Sequence, residues 1–322
     1  MRTLTLAVAL AVAAPGPGAT AQDFPSRPIT FVIPLGAGGV LDVTARVIGP
    51  KLSERLGGRT VVIENRTGGG TVIGAQAVAR AAPDGHTLLF APSGTLTTNV
   101  TLYKSLPYDP VKDFVPIALY VKIPFVLVVH PSLPVQSVAD LIKLAKSRTL
   151  SYASTGTGAV PHMAGELLKS MTGIEMTHVP YRGVTQTLTD VIAGHVDMTF
   201  ASPESAMPAI KDGRVRALGV SSLTRVPVLP EVAPIADSGL PGFEAVSWHL
   251  VVAPAGTPAP VVSVLHRELK AITGAPEMQR MFADMGLIAV DTLPVDELRR
   301  VLADEIALWG KLVRQAGIAG SQ

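Results

Sequence analysis

The sequence predicts an α/β fold of two lobes, each a mainly parallel sheet flanked by helices. Three observations carry this expectation. Strand-like β-branched runs alternate with helix-spaced segments along the chain, the pattern of βαβ units. The alternation falls into two series, separated by the linker-like stretch Leu106–Pro116. With 322 residues the chain is also long enough to bury two cores.

The first series opens with a strand at Ile29–Ile33 and a helix over Val40–Leu56, stopped by Gly57 and Gly58. A strand at Thr60–Glu64, an alanine-rich helix at Thr71–Ala81 and the turn Pro83-Asp84-Gly85 lead to a strand at Thr87–Ala91. The second series begins with the strand Pro124–His130. Ser137-Val138-Ala139-Asp140 resembles a capping box and opens a helix reaching Lys146. Strands follow at Leu150–Ala153, Glu175–Pro180 and Val196–Ala201, interleaved with helices at Pro161–Met171, closed by Gly173, and at Thr185–Ala193. Arg216–Ser221 is the expected return strand, Ser247–Ala253 a further strand, and helices start at Thr257-Pro258, Pro276 and Pro294. Residues 22–122 and 223–322 are thus expected in one lobe and 123–222 in the other, with hinges near Val121–Pro124 and Val220–Ser222.

The opening segment has a different character. MRTLTLAVALAVAAPGPGATAQ carries one cation, Arg2, an uncharged run from Thr3 to Ala14 and a small-x-small site at Ala19-Thr20-Ala21. This reads as a signal peptide over residues 1–21, because the apolar run is too short to span a bilayer. A periplasmic protein is expected. The chain has no cysteine, which excludes disulfides, thiolate metal sites, a nucleophilic Cys and a lipid anchor. Lys and Arg number 27 against 25 Asp and Glu, so nothing favours nucleic acid as a partner.

In open parallel sheets ligands sit beyond the carboxyl ends of the strands. The loops there are Pro34–Gly39, Ala91–Thr95, Ser154–Gly158 and Ala201–Glu204, all rich in Gly, Ser or Thr. Such loops offer backbone N–H groups and hydroxyls, which suits a small oxygen-rich or anionic ligand. Taken alone, Gly36, Gly38 and Gly39 fit a tight turn as well as an anion socket. The same two readings hold for Gly68–Gly70 and for Ser154-Thr155-Gly156-Thr157-Gly158. Neither glycine cluster is a GxxxxGK[ST] loop, and no HExxH or GxSxG occurs. No catalytic residue, metal site or cofactor is therefore expected. Arg182, in His178–Gly183, could clamp a carboxylate or make an ordinary ion pair.

The residues also carry a resemblance. Phe24–Thr30, Pro34–Asp42, Val62–Arg66, Ala82–Leu89, Leu106–Pro110 with Asp113-Phe114, Tyr152–Gly158 with His162, His178–Gly183, Gly194–Asp197 and Ala253–Pro258 follow in order. Together they resemble the Bug-type, TctC-like receptors of tripartite tricarboxylate transporters. That resemblance implies a type II-like Venus-flytrap fold and a monomeric periplasmic protein that delivers small carboxylates to transporter membrane subunits. It also implies site roles: a backbone socket at Ala37, Gly38 and Gly39, hydroxyl contacts from Ser93, Ser154 and Thr157, and a variable end lined by Ala201 and Ser202. Leu35 stands where relatives often carry an aromatic residue. A sensory receptor, or a hydrolase using Ser93, are the alternatives.

Overall fold

The computed structural model describes residues 24–181 and 184–322. The leader and Arg182 lie outside them. Two sheets form. The first takes β1 (Ile29–Ile33), β2 (Val61–Asn65), β3 (Thr87–Pro92), β4 (Phe114–Ile123), β10 (Ser247–Pro254) and β11 (Ile288–Ala289), in the order β11-β4-β10-β3-β1-β2. The second takes β5 (Val126–Val129), β6 (Leu150–Ser154), β7 (Met176–Pro180), β8 (Met198–Ala201) and β9 (Arg216–Val220), in the order β7-β6-β8-β5-β9.

Both sheets are mixed. β1 pairs parallel with β2 and β3, whereas β10 runs against β3 and β4. In the second sheet β6 is parallel to β7 and β8, and β5 runs against β8 and β9. Helices cover both faces, so successive residues of a strand enter different cores. Ile29, Phe31 and Ile33 join one cluster of the first lobe while Val32 joins the other. Leu127 and Val129 divide from Val126 and Val128 in the same way in the second lobe.

The main helices are α1 (Val40–Arg55), α2 (Val72–Ala79), α5 (Val138–Ala145), α6 (Val160–Thr172), α7 (Val184–Ile192) and α8 (Pro203–Lys211), with the short α3 (Ser93–Leu96) and α4 (Thr98–Leu102) after β3. α9 (Ala259–Thr273), α10 (Pro276–Asp284) and α11 (Val295–Gln315) close the chain. Local rules explain their ends. Ser137 Oγ accepts the Asp140 N–H at 3.1 Å, and the Asp140 carboxylate accepts the Gln136 N–H at 3.1 Å. This closes the α5 box one residue further out than in the usual motif. Gly173 ends α6 in the left-handed region at φ 69°, its N–H on Lys169 O at 2.8 Å.

The linker expected at Leu106–Pro116 is a correction, because β4 begins at Phe114 and is a central strand. The sheet tolerates Pro116 at a bulge: the β4–β10 register slips between Val251 and Val252, beside that proline. A second difference concerns residues 223–322. Ile235, Leu240, Phe243 and Ala245 are buried in a second-lobe cluster, not the first. α11 serves both lobes, with Leu298 and Leu302 in a first-lobe core and Trp309, Leu312 and Val313 in a second-lobe core.

The crossovers between lobes run side by side. Ser221 Oγ accepts the Phe125 N–H at 2.9 Å and donates to Ala245 O at 2.7 Å. Its backbone N–H donates to Phe125 O at 2.8 Å. One serine thus ties the outgoing and returning strands at the interlobe boundary.

Candidate functional site

A cavity of about 720 Å³ lies between the lobes. Each of the four loops singled out in the sequence supplies part of its wall: Leu35 after β1, Gly94 and Thr95 after β3, Ser154, Thr155 and Thr157 at the end of β6, Ala201 and Ser202 at the end of β8. The strand order produces this convergence, since all four loops leave carboxyl ends of strands that face the cleft.

Helix N-termini come with the loops. Val40, the first residue of α1, lines the cavity, as do Thr71, the cap of α2, Ala159, the cap of α6, and Ser202, the cap of α8. No side chain caps any of these four helices, so their first-turn amides are not consumed that way. Among the described residues no Asp, Glu, Lys or Arg lines the cavity. Its polarity comes from hydroxyls, amides and the positive ends of helix dipoles.

The predicted site residues divide into two layers. Leu35, Ser154, Thr157, Ala201 and Ser202 line the cavity. Ala37, Gly38 and Gly39 lie in the exposed turn just before α1 and do not line it. The Gly38 N–H has a partner within the protein, the Asp42 carboxylate at 2.9 Å. Asp42 is 2% exposed and also receives Arg46 Nε at 2.9 Å and Asn65 Nδ2 at 3.0 Å. The Arg46 hydrogen bond, helped by those from Gly38 and Asn65, holds its pKa at about 2 against burial. Ser93 is buried one step behind the wall, its Oγ 3.1 Å from the Oγ of Ser247, which does reach the cavity. Ser93 meets no imidazole among its hydrogen bonds, so the hydrolase arrangement is not assembled here.

The second-lobe loop is anchored from below by two histidines. His162 and His178 stack with ring centroids 3.8 Å apart. The Gly158 N–H donates to His162 Nδ1 at 3.0 Å, and Ser154 Oγ lies 2.6 Å from His178 Nε2. Burial pushes both imidazoles toward the neutral form, His178 to a pKa of about 4. Behind them Tyr152 donates to Glu166 Oε1 at 2.7 Å, and Lys169 holds the same carboxylate at 3.0 and 3.1 Å.

Sequence reasoning missed several lining residues. Thr71 and Asn99 join Thr95 in a polar row on the first lobe: Thr95 Oγ1 donates to Thr71 Oγ1 at 2.7 Å, and Asn99 Nδ2 to Gly70 O at 3.1 Å. Thr71 holds φ 82°, an uncommon conformation for a β-branched residue. Ser247 and His249, on one face of β10, also reach the cavity.

Two α/β lobes joined by paired crossovers, with a neutral cleft ringed by helix N-termini, define a solute-binding protein. Residues 44–318 match the family described as "Tripartite tricarboxylate transporter family receptor", and the chain belongs to that family. It is 41% identical over 302 residues to the "UPF0065 protein in tcbD-tcbE intergenic region" of Pseudomonas sp. strain P51, covering 93% of this chain and 89% of that one. It is 34% identical to Protein BugT of Bordetella pertussis, covering 92% of each chain. Among solved structures, Rpa4515 of R. palustris with adipate superposes with a TM-score of 0.78 at 37% identity, covering 92% of this chain and 99% of that one. MatC from Rhodopseudomonas palustris with bound malate gives 0.73 at 32% identity, covering 90% and 100%. Family members are substrate-binding receptors and not enzymes, and the same holds for this chain.

Proposed function

We propose that the protein is a periplasmic receptor, exported by its leader, that binds a small organic acid through a carboxylate and delivers it to a tripartite transporter. The observation that carries this reading is the cavity: four uncapped helix N-termini and a row of hydroxyls, with no acidic side chain among the described lining residues. Such a wall favours one anion and supplies hydrogen bonds to its oxygens. The carboxylates in the R. palustris relatives, adipate and malate, support the same class of ligand.

The ligand would act as the latch between lobes. It shifts an open–closed equilibrium only through interactions that form when the cleft shuts, and Thr71 and Thr95 on one lobe with Ser154 and Thr157 on the other supply them. The paired crossovers at Phe125 and Ser221 would be the hinge, and the closed monomer the form that the membrane subunits receive. In this reading α1 contributes through Gly39, its cap, and Val40, its first residue on the cavity wall, while the Gly38 amide stays with Asp42.

Native mass spectrometry of protein isolated from the periplasm, followed by a thermal-shift screen of organic acids, tests the ligand class. A co-purified acid and stabilisation by acids alone are expected. Stabilisation by sugars or cationic amines instead would contradict the reading. Crosslinking in cells separates transporter delivery from signalling, since capture of a membrane sensor in place of transporter subunits would favour a sensory receptor.

A further inference from the structure

We propose that His249 is a specificity-determining residue of this cavity, selecting organic acids that also carry a hydroxyl or N–H donor over acids that end in a second carboxylate. The inference rests on the carboxylate-receptor reading and adds the chemistry of the remainder of the ligand.

The position of each proton follows from a buried chain of hydrogen bonds. Thr44 sits inside α1, and its Oγ1 donates back to Val40 O at 2.9 Å and Leu41 O at 3.1 Å. That is the usual bond of a mid-helix threonine. With its own proton committed, Thr44 Oγ1 accepts from Tyr120, whose hydroxyl is 2.9 Å away. The phenol proton therefore points to Thr44, the nearer of its two neighbours, and not to His249 Nδ1 at 3.3 Å. Tyr120 can then only accept from His249, so the imidazole proton resides on Nδ1 and Nε2 is left as a bare acceptor.

Nε2 faces the ligand space. His249 lines the cavity while being only 3% exposed, and its Nδ1 edge is turned to Tyr120, which is 1% exposed. Among the described residues no protein group bonds Nε2. It is not sealed off either, because the one buried side-chain polar atom without a hydrogen bond among the described residues is Nδ1 of His86. The opposite edge of the ring must open onto the cavity.

A lone pair at that position has definite consequences. A hydroxyl or N–H of the ligand satisfies it, whereas a methylene leaves it unpaired and a carboxylate oxygen sets lone pair against lone pair. Burial keeps the ring neutral, so it does not become a cationic partner for a second carboxylate in the ordinary pH range. Thr44 and Tyr120 belong to the first-lobe core, which makes the tautomer a built-in property of the fold.

Calorimetric titration with three acids of equal chain length is the test: 6-hydroxyhexanoate, hexanoate and adipate. The hydroxy acid is expected to bind about tenfold more tightly than either of the others. His249→Leu should erase that preference, bringing the hydroxy acid and hexanoate to the same affinity, and His249→Gln, which keeps an acceptor, should preserve part of it. Hexanoate or adipate binding at least as tightly as the hydroxy acid would overturn the inference and leave the receptor reading standing. Binding of none of the three would overturn both. A ligand-free readout covers the case of poorly folding variants. In 15N NMR of histidine-labelled wild type, the resonances assigned to His249 should show the Nδ1–H tautomer, and a proton on Nε2 would refute the proposal.

Discussion

The backbone N–H of Gly158 donates to Nδ1 of His162 at 3.0 Å, tying the second-lobe loop of the cavity wall to an imidazole that is only 3% exposed. His162 stacks on His178, which in turn holds Ser154. This stretch of the cavity wall therefore depends on two histidines staying neutral.

That dependence fixes a pH response. Unfolded, His178 gains its proton near pH 6.5, whereas burial in the fold lowers its pKa to about 4. Between these values the unfolded chain binds more protons, so stability rises with pH there. The contribution is complete above the unfolded value and is lost as pH falls toward the folded one. Urea denaturation of wild type should show stability dropping from about pH 7 to about pH 4.5, with a shallower drop in His178→Asn. Parallel curves for the two proteins would remove His178 from this role.

Gly158 also limits how near the lobes can approach. It holds φ 81°, and a side chain there would place its Cβ 2.5 Å from Leu102 Cδ2 at the end of α4 in the first lobe. Gly158→Val should prop the cleft open and weaken ligand binding about tenfold or more, through lost closure as well as backbone strain. Small-angle scattering with saturating ligand reads the result directly. A variant that compacts as far as wild type would exclude this steric role.

Asp42 secures the turn ahead of α1. Its pKa of about 2 lies below the ordinary 3.8, so its stabilising contribution is full above about pH 4 and fades as pH falls through 2. Asp42→Ala leaves the Gly38 amide without its acceptor and takes one of two from the Asn65 side chain, which keeps Leu35 O. A loss of ~1 kcal/mol is expected in urea melts, kept small because the Arg46 partner is half exposed and screened. An unchanged midpoint would show that water replaces the carboxylate at no cost.

Ser221 joins the crossovers, and its side chain makes two hydrogen bonds across them, to Phe125 N at 2.9 Å and Ala245 O at 2.7 Å. Ser221→Ala should cost about 1 to 3 kcal/mol, because the serine is fully buried and both partners are left unsatisfied. Thermal unfolding of the ligand-free protein measures this. A melting temperature within a degree or so of wild type would mean that the crossovers do not need the link.

Much of this architecture is legible in the sequence because periodicity and punctuation agree. β1, α1, β6 and α6 have clear alternation or helical spacing and clear stops, and the structure places them near their expected bounds. β4 is not legible in that way. FVPIALYVKI is buried on both faces, so it shows no alternation, and Pro116 argues against a central strand unless a bulge is known. The site divides along the same line. Ser154 and Thr157 stand in a loop whose composition announces hydrogen bonding. Ser247 and His249 reach the cavity only because β10 inserts between β3 and β4, a pairing that no local pattern encodes. Ser93, expected as a hydroxyl contact, sits behind the wall for a related reason: it follows β3 directly but turns inward to Ser247 as the first residue of α3.

The proposed ligand of the cleft is a carboxylate, and not merely a small polar molecule. Titrating wild type with the acid that gives the largest thermal shift, and with the methyl ester of that acid, tests it directly. Saturable binding of one acid per chain is expected, with at least about a hundredfold weaker binding of the ester, which offers no anion to the helix N-termini. Equal affinity for acid and ester would contradict it.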